Sequence, residues 1–97
     1  MVQTICTYLI SAGEKRIILQ KPNSLHRIFF SICVIAGPNS WFDVRMSFDD
    51  PQFRSYYALN GPTKYFEARG ADISQGDIWV QNNAGTDLQL AVTEILH

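Results

Sequence analysis

Histidine, cysteine and net charge are all scarce in this chain, and each scarcity removes a class of function. Only two histidines stand among the 97 residues, His26 near the head of a long apolar run and His97 at the last position. A cupin-type metal site needs several histidines with a carboxylate, so that cluster is missing and no cofactor is expected. The two cysteines, Cys6 and Cys33, sit inside apolar runs without Cys-x-x-Cys spacing. Free buried thiols are the expectation, with a disulfide as the alternative if their strands lie side by side. Eight Lys and Arg against nine Asp and Glu leave a formal charge of −1. Seven of the eight basic residues, Lys15, Arg16, Lys21, Arg27, Arg45, Lys64 and Arg69, are scattered among acids, which gives no electrostatic basis for binding nucleic acid or an anionic membrane.

Long apolar runs and helical periodicity are absent too. The longest apolar stretch, residues 28–36, is broken by Ser31 and is far shorter than the ~20 residues that span a bilayer. The first residues, Met1-Val2-Gln3-Thr4-Ile5-Cys6, lack the cationic region and small-residue cleavage site of a secretory leader, so synthesis in the cytoplasm without a signal peptide is expected. No window sustains a 3.6-residue apolar period with caps. There is no internal repeat, linker or low-complexity segment, and a chain of this length forms one domain, residues 1–97.

What is present is a succession of short β-branched or aromatic runs separated by Gly, Pro, Asn and Asp, at 46% hydrophobic and 18% charged residues. This is the pattern of an all-β domain. Residues 2–10 form a first strand with apolar residues on both faces, and residues 16–19 a second, so a hairpin is expected across Ser11-Ala12-Gly13-Glu14. Residues 25–36 make the longest strand. His26, Ile28, Phe30, Ile32, Val34 and Ala36 lie on one face, and Leu25, Phe29, Cys33 and Ile35 share the other with Arg27 and Ser31. Such a strand belongs in the middle of a sheet, with part of its second face against another layer or another subunit.

Phe42, Val44, Met46 and Phe48 alternate with Asp43, Arg45 and Ser47, the signature of a half-buried antiparallel strand. Residues 53–59 read as a strand or a structured loop, and residues 63–69 as a strand. The last third, Gly76-Asp77-Ile78-Trp79-Val80 through Gly85-Thr86-Asp87-Leu88-Gln89-Leu90-Ala91-Val92, reads as two strands closing in a hairpin, with Leu88, Leu90 and Val92 inward. Seven or eight strands predict a two-layer antiparallel β-sandwich of jelly-roll type. An immunoglobulin-like Greek key has the same strand count, but the Cys…Trp…Cys spacing of a true immunoglobulin domain is absent.

No residue constellation defines an active site, and a non-enzymatic protein is expected. Ser24 or Ser40 with His26 and Asp43 makes a triad only on paper, since no Gly-x-Ser-x-Gly elbow positions a nucleophile. Asp49 and Asp50 are adjacent in a turn, where Asp serves its own backbone. Asp72-Ile73-Ser74-Gln75-Gly76-Asp77 alternates oxygen ligands but lacks the distal glutamate of a calcium loop. The surface feature that stands out is aromatic: Trp41, Tyr56, Tyr57, Tyr65 and Trp79, with Gln81, Glu67 and Arg69 sharing the strand faces of Trp79 and Tyr65. Such a face can stack sugar rings while amide, carboxylate and guanidinium groups bind hydroxyls. It can instead bury itself between subunits, or pack within the monomer.

The ending, residues 76–80 with residues 85–95, resembles the last jelly-roll strands of small single-domain β-sandwich proteins of tailed bacteriophage particles and marine viral sequences. The resemblance covers about a third of the chain and transfers no functional residue. It implies a non-enzymatic, homo-oligomeric virion component, such as a capsid decoration or fibre-associated protein, often trimeric. Its expected partners are copies of itself, with other virion proteins or surface glycans as further candidates. Leu25, Phe29 and Ile35 are the expected oligomer interface, and a carbohydrate-binding module using the aromatic face is the alternative.

Overall fold

Alternation of apolar residues sorts this chain into two layers. The computed structural model describes residues 1–36, 43–60, 65–70 and 73–97. The regular elements among them are all strands: β1 (Val2–Ile10), β2 (Lys15–Leu19), β3 (Arg27–Ala36), β4 (Asp43–Phe48), β5 (Tyr57–Asn60), β6 (Tyr65–Arg69), β7 (Ile78–Asn82) and β8 (Leu88–Leu96). They form two antiparallel four-stranded sheets, ordered β1-β8-β3-β6 and β2-β7-β4-β5. The order is that of a jelly roll, in which the chain repeatedly crosses from one sheet to the other. The ambiguous segment 53–59 resolves into a loop followed by β5.

Two expected hairpins are instead corners between sheets. β1 pairs with β8 and β2 with β7, so neither β1–β2 nor β7–β8 is a hydrogen-bonded pair. The backbone groups that a hairpin would satisfy internally are shared between the two corners. Gly13 N donates to Asn82 O (2.8 Å), and Asn82 N donates to Glu14 O (3.0 Å). The fully buried Asn82 amide donates to Ile10 O (3.1 Å) and Thr86 O (2.9 Å) and accepts from Ala84 N (2.9 Å). Gly13, at φ 80°, supplies the left-handed turn that lets the first corner close.

Between the sheets lie Ile10, Phe30, Ile32, Val34, Val44, Met46, Leu59, Ile78, Val80, Leu88, Leu90 and Val92. The inward sets of β7 and β8 are those expected from alternation, as are Phe30, Ile32 and Val34 of β3 and Val44 and Met46 of β4; Ile28, expected inward with them, is 38% exposed because the register shift beside it turns Arg27 inward instead, and Phe42 lies outside the described residues. Along the β5/β6 side a cluster of rings lines the gap between sheets, where a cavity of about 560 Å³ remains. Phe30 stands edge-on to Phe48 at 5.9 Å between centroids, Phe48 lies 5.4 Å from Tyr57, and Tyr57 lies 5.6 Å from Phe66. Such pairs add about 0.5–1.5 kcal/mol each beyond the area they bury.

Arg27 departs from the expected pattern. Alternation places it on the outer face of β3, but a register shift between Arg27 and Phe29 turns it inward, and it is 1% exposed. Its Nε donates to Glu94 Oε2 (2.8 Å), Nη1 to Ser74 O (2.7 Å) and Gly76 O (2.8 Å), and Nη2 to Gln20 O (3.0 Å). Gln75 completes the enclosure from its side chain: Oε1 accepts from Arg27 N and Nε2 donates to Arg27 O, both at 2.7 Å. Replacing one member of a buried ion pair typically costs about 3–5 kcal/mol, because the abandoned partners stay buried. Arg27→Met is therefore expected to lower unfolding stability by about that amount, read as a drop in the urea midpoint at constant m-value. A loss below about 1 kcal/mol would show that water replaces the guanidinium without penalty.

Candidate functional site

The two outer faces of the sandwich differ in chemistry, and the expected site residues are divided between them. Tyr65, Glu67 and Arg69 lie on the outer face of the β1-β8-β3-β6 sheet, at its β6 edge. Trp79 and Gln81 lie on the outer face of the other sheet, in β7. The structure does not bring these two sets onto one surface. β6 and β7 are consecutive strands, but they fall in opposite sheets. Trp41 lies outside the described residues.

On the β7 side, Lys15, Gln81, Arg45 and Ala58 stand in one row across four strands, and Ile17, Trp79 and Ser47 in the next. Trp79 is half-buried. The loop after β4 folds back beside these rows. Asp50 accepts from the backbone of Gln52 (3.0 Å) and Arg54 (2.9 Å), Ser47 Oγ donates to Asp50 O (2.6 Å), and Phe53 is 8% exposed beneath the Lys15 ammonium. Arg45 stacks on Tyr56, 4.7 Å from the ring centroid, and its Nε lies 2.6 Å from the Asn83 side-chain amide, an arrangement that assigns the amide oxygen to the side facing the guanidinium. Trp79 and Tyr56 thus sit in a face whose cations are already engaged with rings and amides.

The other outer face is largely uncharged. Its rows across β1, β8, β3 and β6 read Gln3, Ile95, Phe29, Arg69, then Ile5, Thr93, Ser31, Glu67, then Thr7, Ala91, Cys33, Tyr65. Leu9 and Ile35 extend the face beyond the third row. Three adjacent strands present no charge on this side, and Ile5, Leu9 and Ile35 are 67%, 56% and 50% exposed. Phe29 and Ile35, expected interface residues, both lie here. Leu25 is exposed in the segment before β3.

The charges of the face are confined to β6 and bonded to one another. Tyr65 Oη donates to Glu67 Oε2 (3.0 Å), Arg69 Nη2 donates to the same oxygen (2.8 Å), and the Arg69 guanidinium lies 5.1 Å above the Phe29 ring. The bond from Arg69, then that from Tyr65, lowers the pKa of Glu67 below its ordinary value. Because the folded state favours the charged form, any stabilisation it lends is present above the ordinary carboxylate pKa and lost as pH falls through the lowered one.

The remaining candidates are dispersed. His26 and His97 exchange backbone bonds (3.1 and 2.8 Å) at the Arg27 end of the sandwich. Asp43 lies at the opposite end, where its carbonyl accepts from Asn83 N (2.9 Å), so His26 and Asp43 do not meet. Among the described residues no three His, Cys, Asp or Glu side chains group as metal ligands. The oxygen-rich loop is used otherwise, since its Ser74 and Gly76 carbonyls hold Arg27 while Asp77 Oδ1 accepts from Lys21 N (2.7 Å). Asp72 lies outside the described residues. Cys6 and Cys33 are free; Cys6 is exposed rather than buried, because no strand covers that part of β1.

A groove of about 290 Å³ runs between β1 and β2, lined by Thr4, Cys6, Tyr8, Ile18, Val92 and Glu94 among others. Sequence reasoning missed this groove and the Arg27–Glu94 pair. The signals available were the shortness of the second strand against the first and a lone arginine at the head of the most apolar run. No protein-family model matches the chain, and no characterised protein matches its sequence.

Titration of the Glu67 carboxylate by NMR is expected to give a midpoint below that of an unperturbed glutamate. In Arg69→Leu the midpoint should move back up. An unchanged midpoint in the variant would show that the Arg69 bond does not form in solution.

Proposed function

We propose that this protein is a non-enzymatic assembly unit, a subunit that associates with copies of itself through the outer face of the β1-β8-β3-β6 sheet. The observation that carries the reading is that face: three adjacent strands without a charge, bearing exposed Ile5, Leu9 and Ile35 beside Phe29. Subunit interfaces are depleted of charge at their centre and ringed by polar groups, and here the charged groups, Glu67 and Arg69, stand at one rim. The near-neutral net charge of −1 adds little repulsion between copies. The jelly-roll strand order agrees with the resemblance to phage particle components. A virion subunit, a capsid decoration or a fibre-associated protein, is the role we assign, with closed cyclic assembly such as a trimer as its form.

A second reading, glycan binding, draws on one cluster. Tyr65 is 49% exposed beside Glu67 and Arg69, and a ring flanked by an acceptor and a donor suits a sugar. The division of the tryptophans from this cluster weakens it. Glycan-array binding that disappears in Tyr65→Ala while assembly persists would favour it.

A lysine placed at the centre of a buried interface must be desolvated without a partner. Ile5→Lys and Ile35→Lys, both exposed in the monomer, are expected to leave unfolding stability within about 0.5 kcal/mol while raising the dissociation constant at least ten-fold by sedimentation velocity. Wild-type sedimentation in both variants would contradict the proposed face.

A further inference from the structure

The two long sides of the sandwich differ in lining. The β5/β6 side holds a cavity of about 560 Å³ lined by the rings of Phe30, Phe48, Tyr57 and Phe66, while the smaller groove on the β1/β2 side is lined by Thr4, Cys6, Tyr8, Ile18 and Glu94 among others. β2 has five residues and β1 has nine, so β2 covers only the Tyr8–Ile10 end of β1. Val2, Thr4 and Cys6 occupy inward positions of β1 and are nevertheless exposed. β1 is also an edge strand, and its sequence Val2-Gln3-Thr4-Ile5-Cys6-Thr7-Tyr8-Leu9-Ile10 contains no charge, proline or glycine. Edge strands are ordinarily blunted by such residues, because their free N–H and C=O groups template further pairing.

We infer that β1 pairs antiparallel with β1 of a second copy about a two-fold axis at Cys6, merging the two β1-β8-β3-β6 sheets into one eight-stranded sheet. The inference deepens the assembly reading and rests on it, adding a two-fold contact that would join two face-linked trimers into one dihedral assembly. Two arguments choose a second copy. The first is register. Leu9 O accepts from Arg16 Nη1 (3.2 Å) on the side away from β8, so by alternation the free backbone groups belong to Gln3, Ile5, Thr7 and Leu9. Pairing all nine residues of the strand with themselves sets Ile5 against Thr7 and Gln3 against Leu9, which uses every one of those groups. The two Cys6 residues then face each other in a non-hydrogen-bonded pair.

The second argument is charge. One end of the groove carries Arg16, whose guanidinium lies 5.1 Å above the Tyr8 ring. The other end carries Glu94, beside Thr4 in the neighbouring strand. Among the described residues only Oε2 of Glu94 is engaged, by Arg27. In this register Tyr8 of one copy meets Thr4 of the other. The positive end of each groove therefore meets the negative end of its mate, twice about the axis. Arg16 leaves the Leu9 carbonyl to Gln3 of the second copy and turns to that copy's Glu94.

Two variants and an oxidation test this. In a Cys33→Ser background, mild oxidation with diamide is expected to convert most of the assembled protein to a disulfide-linked dimer, since a non-hydrogen-bonded pair brings Cα atoms to about 4.5 Å, within disulfide reach. Cys6→Ser should abolish the link. Thr7→Pro removes one outward N–H at an edge position that tolerates proline, and is expected to weaken pairing at least ten-fold with the circular dichroism spectrum unchanged. Arg16→Glu should weaken it as well; stronger association in that variant would mean that Arg16 guards the edge and would overturn the inference. A wild type that assembles with no Cys6 link, and a folded Thr7→Pro of unchanged mass, would likewise overturn edge pairing while leaving assembly through the sheet face intact. A wild type that stays at 11.0 kDa at every concentration would remove both.

Discussion

The rest of this fold depends on finding partners for one buried positive charge. Arg27 is nearly inaccessible and sits where β3 enters the sandwich, and its guanidinium gathers Gln20, Ser74, Gly76 and Glu94 from three separate stretches of chain. An arginine so placed is tolerated only when its donors are matched, because desolvating an unpaired ion costs several kcal/mol. The matching is what shapes that end of the molecule. The segment between β6 and β7 turns its carbonyls inward, and Gly76 permits this because a Cβ there would come within 2.7 Å of Asp49. Gln75 adds a side-chain imitation of a strand, bonding both backbone groups of Arg27. Glu94 is drawn inward from β8, which leaves a carboxylate lining the groove beside β1.

At the opposite end Asn82 does for two corners what Arg27 does for three segments. Between these anchors the core is built from ordinary alternation, and function is left to the surfaces the core does not use. Those surfaces are unequal. One outer face carries Lys15 and Arg45, each over an aromatic ring, with half-buried Trp79 beside them; the other is uncharged over three strands. One long side is lined by four aromatic rings, and the other is left open because β2 is too short for β1. Uncharged face and open side meet along β1, which contributes Ile5 and Leu9 to the first and Thr4, Cys6 and Tyr8 to the second. An assembly using both would place β1 at its centre.

Much of this was legible in the residues. The two-layer sandwich, the inward sets of β7 and β8, and the inward Phe30, Ile32 and Val34 of β3 and Val44 and Met46 of β4 follow from period-two alternation, which is a local property. Phe29 and Ile35 were legible as outward for the same reason. What alternation does not encode is which strand pairs with which. The turn sequences at Gly13 and Gly85 look like hairpin turns, yet both are corners, because Asn82 and Gly13 bond across corners rather than within them. The same blindness joined Trp79 to Tyr65, which the sheet order then separates. Arg27 was misplaced for a different reason: one register shift at the strand entrance inverts its side, and only its buried partners show why the inversion is worth its cost.

The central claim is that assembly is what this protein does, and absolute molar mass in solution tests it most directly. Light scattering on a sizing column over a dilution series is expected to give a multiple of 11.0 kDa that persists as the protein is diluted. A mass of one chain across the whole series would contradict the account, and the uncharged face of β1, β8 and β3 would then need a different explanation.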